Sequence, residues 1–129
     1  MRPGLRTVLF SVTPELVANG GFDIDANWTK GTGWSIGSGV ATKVAGTQSS
    51  LSSLSFQNAV IGRTYACTYT LTISAGAIQP FIGAAVGAAR TVSGTFTDYI
   101  TATAVAGYGI FGNNLFAGTI DNVSVRRKS

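Results

Sequence analysis

Residues 64–74 alternate without interruption. Tyr65, Cys67, Tyr69, Leu71 and Ile73 fall on one side of an extended chain, and Thr64, Ala66, Thr68, Thr70 and Thr72 on the other. A period of two with β-branched polar residues on the second side requires a central antiparallel strand, buried on one face and solvated on the other. A second long run covers 95–105, with Phe96, Ile100, Ala102 and Ala104 in one phase and Tyr99 in the other. No segment of ten or more residues carries a helical stripe. Roughly eight to ten short strands at this turn spacing predict an all-β sandwich.

The shorter elements agree. Gly37-Ser38-Gly39 separates Trp34-Ser35-Ile36 from residues 40–44 as a hairpin would. Leu51, Leu54 and Phe56 fit a twisted or bulged strand, and Pro80 suggests an edge position or a strand start for the run that follows. Gly107-Tyr108-Gly109 and Gly112-Asn113-Asn114 read as turns bracketing Ile110-Phe111. At 129 residues there is room for one core. The single cysteine, Cys67, lies in the inward phase of its strand and reads as a buried free thiol rather than a nucleophile.

Only 11% of residues are charged while 45% are hydrophobic, so Thr, Ser, Gly, Ala and Asn must make up much of the surface. Such a surface suits a packed assembly or a sugar better than a nucleic acid. The net charge of +4 is concentrated at the ends: Arg2 and Arg6 at one, Arg126, Arg127 and Lys128 at the other. Between them, four basic residues against five acidic leave the body at −1.

Two stretches carry a resemblance. Leu16 and Val17 open a strand that Asn19-Gly20-Gly21 turns, with Phe22, Trp28 and Trp34 as the bulky apolar groups behind it; residues 118–125 close the chain with Ile120, Val123 and Val125 apolar around Asp121-Asn122. Over residues 15–125 the chain resembles the carbohydrate-binding-module type of β-jelly-roll, with its galactose-binding-like fold. The resemblance implies that the first and last strands lie side by side, and that both basic ends leave the domain at one pole. It also implies core positions for Trp28 and Trp34, and a structural calcium where the opening turn meets the closing strand, with Asp121 and Asp23 as ligands. The alternative for Asp121 is a plain hydrogen bond to the opening turn.

Catalytic parts are scarce. There is no histidine, which excludes the common triads and most transition-metal sites, and only five carboxylates are present. Asp23 and Asp25 flank Ile24 and read as turn formers or calcium ligands rather than a glycosidase pair. No phosphate-binding glycine loop precedes a helix, so the chain is read as a non-enzyme. For a sugar, the exposed stacking candidates are Tyr99 and Tyr108. Asn27-Trp28-Thr29 and Asn122-Val123-Ser124 match the glycosylation pattern, read here as coincidence.

Residues 1–14 place Val8, Leu9, Phe10 and Val12 between Pro3-Gly4 and Pro14. The run is too short for the core of a secretion signal, and no stretch has membrane-spanning length. These residues are expected to form a docking arm, followed by the sandwich at 15–125 and a basic tail at 126–129. Jelly-rolls of this composition are similar to domains of tailed-bacteriophage structural proteins. The resemblance implies a virion protein, a capsid decoration or fibre module, assembled in the host cytoplasm. It would dock on the major capsid or another virion protein through Arg2, Arg6, the apolar arm residues, Arg126, Arg127 and Lys128. The uncharged stretch 81–89 suits a buried strand or a flat subunit contact, and a homo-oligomer, with a trimer favoured, is expected. A carbohydrate-binding module recognising a host-surface glycan is the alternative; neither nucleic acid nor membrane is expected as a partner.

Overall fold

The computed structural model describes residues 13–128. It has ten strands: β1 (Trp28–Lys30), β2 (Trp34–Gly37), β3 (Val40–Lys43), β4 (Ser49–Ser53), β5 (Thr64–Ala75), β6 (Ile78–Ile82), β7 (Ala85–Val86), β8 (Gly94–Thr101), β9 (Tyr108–Gly112) and β10 (Ala117–Arg127). They form two five-stranded sheets, one ordered β1-β4-β9-β6-β7 and the other β2-β3-β10-β5-β8, with every pairing antiparallel. Only β2–β3 and β6–β7 are consecutive strands paired within one sheet; every other connection crosses between the sheets. This is an all-β sandwich, compatible with a jelly-roll.

The alternation in β5 does what its period demands. Tyr65, Cys67, Tyr69 and Leu71 are buried between the sheets. The outer threonines pair across to β8 through hydroxyl bonds, Thr64 with Thr101 at 2.6 Å, Thr68 with Thr97 at 2.9 Å and Thr70 with Thr95 at 3.0 Å. From the facing sheet, Trp28, Leu51, Ile78, Ile82, Tyr108 and Ile110 complete the core, and Trp34 packs on Phe116 with ring centroids 5.7 Å apart. The hairpin is present as Gly37 opposite Val40 across Ser38-Gly39.

Four expectations need correction. Residues 16–17 do not form a strand: past the bulge of β10, where the register shifts between Asp121 and Ser124, Leu16 N reaches Val125 O, but Val125 N is taken by the Glu15 carboxylate rather than by a backbone carbonyl, so no ladder forms. β8 ends at Thr101 rather than near 105, because the chain then follows the connection between β4 and β5, whose Gly62 N donates to Ala102 O and Ala59 N to Ala106 O, on its way to the other sheet. Tyr108, Gly109 and Gly112 belong to β9 itself rather than to turns beside it. Pro80 sits inside β6, an inner strand. Its carbonyl accepts Gly87 N at 2.8 Å, and Gly87 O receives the side-chain amide of Gln79 at 3.0 Å in place of the N–H that proline lacks. The arm expected over 1–14 lies outside the described residues except for Thr13 and Pro14.

Candidate functional site

The opening and closing stretches meet. Leu16 N donates to Val125 O and Val123 N to Gly20 O, both at 2.9 Å. A side chain on Gly20 would place its Cβ 2.0 Å from Val123 O, so only glycine allows the bulge and the turn to approach this closely. Asn19 holds the turn from within, its amide donating to Ile24 O at 2.6 Å and Ala26 O at 2.8 Å, while its own carbonyl accepts Trp28 Nε1 at 3.0 Å. At this turn Asn19 O, Gly20 O, Ile24 O and Ala26 O thus accept N–H groups. Asp121 accepts Asn122 N at 2.7 Å, and Asp23 is exposed beside Gly21. Among the described residues no three of His, Cys, Asp or Glu gather as metal ligands. Hydrogen bonds from Val123 N to Gly20 O and from Leu16 N to Val125 O hold the junction.

At the pole where the ends meet, Glu15 organises the contacts. Its carboxylate accepts Ser124 Oγ at 2.6 Å and Val125 N at 2.8 Å, and lies 3.8 Å from the Arg126 guanidinium, which also donates to Thr13 O. Lys128 Nζ stands 5.9 Å from the centroid of the Tyr99 ring. Arg127 is exposed at the end of β10 and shares a depression of about 250 Å³ with Arg63, Leu16, Phe56 and Tyr65. The first and last described residues of the domain are thus neighbours, although the opening stretch lies beside β10 as irregular chain and not as a paired strand; Arg2, Arg6, Val8, Leu9, Phe10 and Val12 lie outside the described residues.

Of the two stacking candidates, Tyr99 is exposed (61%) on the outer face of β8. Tyr108 is fully buried, which corrects the expectation of exposure: it points inward from β9, and its hydroxyl has no hydrogen-bond partner among the described residues. The aromatic surface is elsewhere. Cross-strand neighbours on the outer face of the first sheet form one row, Thr29, Ser52, Gly109, Phe81 and Val86, and a second, Ser50, Phe111 and Gln79. No charge interrupts either row. Phe81 lies across Gly109, where a Cβ would come within 2.4 Å of its ring. Two shallow depressions, of about 370 and 350 Å³, adjoin at Phe81 and Gly83. Hydroxyls and amides beside half-buried phenyl rings can hydrogen-bond and stack on a neutral polyol or pack on a flat protein partner. The alternation Ile78, Pro80, Ile82 inward and Gln79, Phe81 outward was the signal for this face, obscured by the proline.

The inward phase of β8 also contains Asp98, only 7% exposed. Its carboxylate binds Arg90 Nη2 at 2.6 Å, Tyr69 Oη at 3.1 Å and Ala88 N at 3.3 Å, and Arg90 lies 4.4 Å over the Phe96 ring. Burial pulls the Arg90 guanidinium down, but its hydrogen bond to Tyr69 and the Asp98 charge outweigh this and hold it above its ordinary value. Burial pushes the Tyr69 phenol up. This cluster ties residues 87–90 to β8 and closes one side of the sandwich; its saturated hydrogen bonding marks it as a brace. Lys43 is buried too, donating to Val44 O at 3.1 Å and Asn113 O at 3.2 Å, and burial lowers its pKa.

No protein-family model matches the chain, and no curated protein matches it.

Proposed function

We propose that the protein is a structural module of a tailed-bacteriophage virion, a galactose-binding-like jelly-roll that docks by its chain-end pole and turns the sandwich outward. The observation that carries this reading is the division of its surface. Both described ends and the cations Arg126, Arg127 and Lys128 gather at one pole, while the outer sheet faces present threonine and serine hydroxyls and two phenyl rings. A pole of positive charge attracts an acidic surface and sets orientation, whereas the uncharged outer face of the first sheet suits lateral contacts between copies, here a trimer. The partner is the major capsid or another virion protein. Purified protein should co-sediment with particles that lack it and come off as salt is raised; a protein that stays in the supernatant at low salt refutes the docking.

The face of Phe81 and Phe111 favours a second reading, a carbohydrate-binding module for a host-surface glycan. On that reading the stacking residues are these two rather than Tyr99 and Tyr108. Glycan-array binding that Phe81→Ala removes and Tyr99→Ala leaves intact would establish it.

A further inference from the structure

The depression at the pole has a composition that its size helps to interpret. Leu16, Phe56, Val60 and Tyr65 supply apolar walls, and Arg63 and Arg127 stand at its rim. Phe56 and Tyr65 pack against each other with ring centroids 5.1 Å apart. Tyr65 Oη accepts Val60 N at 2.9 Å and Leu16 N is bonded to β10, so the walls are fixed before anything arrives. At about 250 Å³ it is smaller than the pockets that enclose whole small-molecule ligands, and suits one large side chain with its backbone.

The rim is charged and unmatched. The ion pairs among the described residues are Lys30–Asp25, Arg90–Asp98 and Arg126–Glu15, which leaves Arg63 and Arg127 without a carboxylate there. The chain's own residues 1–12 contain Arg2 and Arg6 and no acid, so they do not complement this rim. Guanidinium groups bind carboxylates through paired N–H donors in fixed geometry, and beside an apolar wall that bond is less exposed to competing water.

We infer that this pocket receives an extended segment of a partner protein in which an apolar side chain is flanked by carboxylates. The side chain enters between Leu16, Phe56 and Tyr65, and the carboxylates meet Arg63 and Arg127. The inference rests on the docking role of the pole and names the chemistry of the partner there.

The test uses the full chain and a fluorescein-labelled peptide of sequence Gly-Asp-Leu-Asp-Phe-Glu-Gly, read by anisotropy, beside its amide analogue with Asn and Gln. The acidic peptide should bind, and Arg63→Gln with Arg127→Gln should weaken it roughly tenfold or more, a loss of about 1.4 kcal/mol. Arg63→Lys with Arg127→Lys should restore part of the binding, and Lys30→Gln should leave it unchanged. A thermal melt confirms that each variant is folded. Equal affinity for the acidic and amide peptides, or no effect of the double Gln variant, overturns the inference. So does binding that appears only after residues 1–12 are removed, since the occupant is then the chain's own arm. Co-sedimentation of the unaltered protein with particles is scored separately: its failure refutes the docking role, whereas the peptide result bears on the pocket alone.

Discussion

The carboxylate of Glu15 accepts the backbone N–H of Val125 at 2.8 Å, in the place where a carbonyl of a neighbouring strand would stand. β3 pairs with β10 only as far as Ile120, and past the bulge a side chain takes over the edge. The same carboxylate also accepts its own Leu16 and Val17 N–H groups at 3.1 and 3.2 Å, so one residue replaces a stretch of ladder. Glu15→Ala leaves the Val125 and Val17 N–H groups without this acceptor, while Leu16 N keeps Val125 O. It should lower stability by about 1–3 kcal/mol in a denaturant titration, with Glu15→Gln recovering part, since an amide oxygen can still accept. An unchanged midpoint for the alanine variant would remove Glu15 from this role.

The brace between Arg90 and Asp98 should show the asymmetry of a buried pair. Asp98→Asn strands a guanidinium whose side chain is 24% exposed, and should cost about 3 kcal/mol, at the lower end for buried pairs because water still reaches the arginine. Replacing both partners, Arg90→Met with Asp98→Leu, should cost less than Asp98→Asn alone. A double variant weaker than the sum of the single ones would mean that the cluster does more than close the sandwich.

Stability should fall in alkali, beginning with Cys67. Burial, with smaller contributions from the Asp98 and Glu15 charges, pushes its thiol from 9.0 up to about 12. Above pH 9.0 the unfolded chain releases this proton and the folded chain keeps it, so folded-state stability present below 9.0 is lost progressively as the pH rises towards about 12. The phenols of Tyr69 and Tyr108, raised by burial, add to the loss above their ordinary value of 10.0. Lys43 acts oppositely: its lowered pKa means that the unfolded chain holds the proton longer, so its contribution rises with pH as 10.5 is approached. Three groups oppose one, so the net trend is downward. Thermal melts carried from pH 8 to about 11, where the phenols also contribute, should show a decline that Cys67→Ala flattens, on top of its own cavity cost. A decline of equal slope in that variant would exclude the thiol.

Much of this architecture is readable from period alone. The inward phase of β5, the hairpin at Ser38-Gly39 and the meeting of the two ends follow from alternation, turn residues and the resemblance. What could not be read concerns side chains that act out of phase with their type. Asp98 occupies an apolar position because Arg90, eight residues away in sequence, bends back over it. Glu15 is a carboxylate acting as backbone. Tyr108 looked exposed because glycines surround it, yet Gly109 serves a close approach within the sheet and Gly107 one to the Phe56-Gln57 segment that follows β4. Phe81 and Phe111 were hidden by a proline whose lost N–H is replaced by Gln79.

The proposed docking of the pole can be tested directly because the chain has three lysines in three environments. Lys128 is exposed at the pole, Lys30 is exposed on β1 away from it, and Lys43 is buried. Intact particles treated with an amine-reactive cross-linker and analysed by mass spectrometry should yield links from Lys128 to another virion protein, with Lys30 carrying only single-ended adducts and Lys43 unmodified. Links to another virion protein from Lys30, with Lys128 carrying only single-ended adducts, would mean that the sandwich is mounted the other way round and would contradict the account.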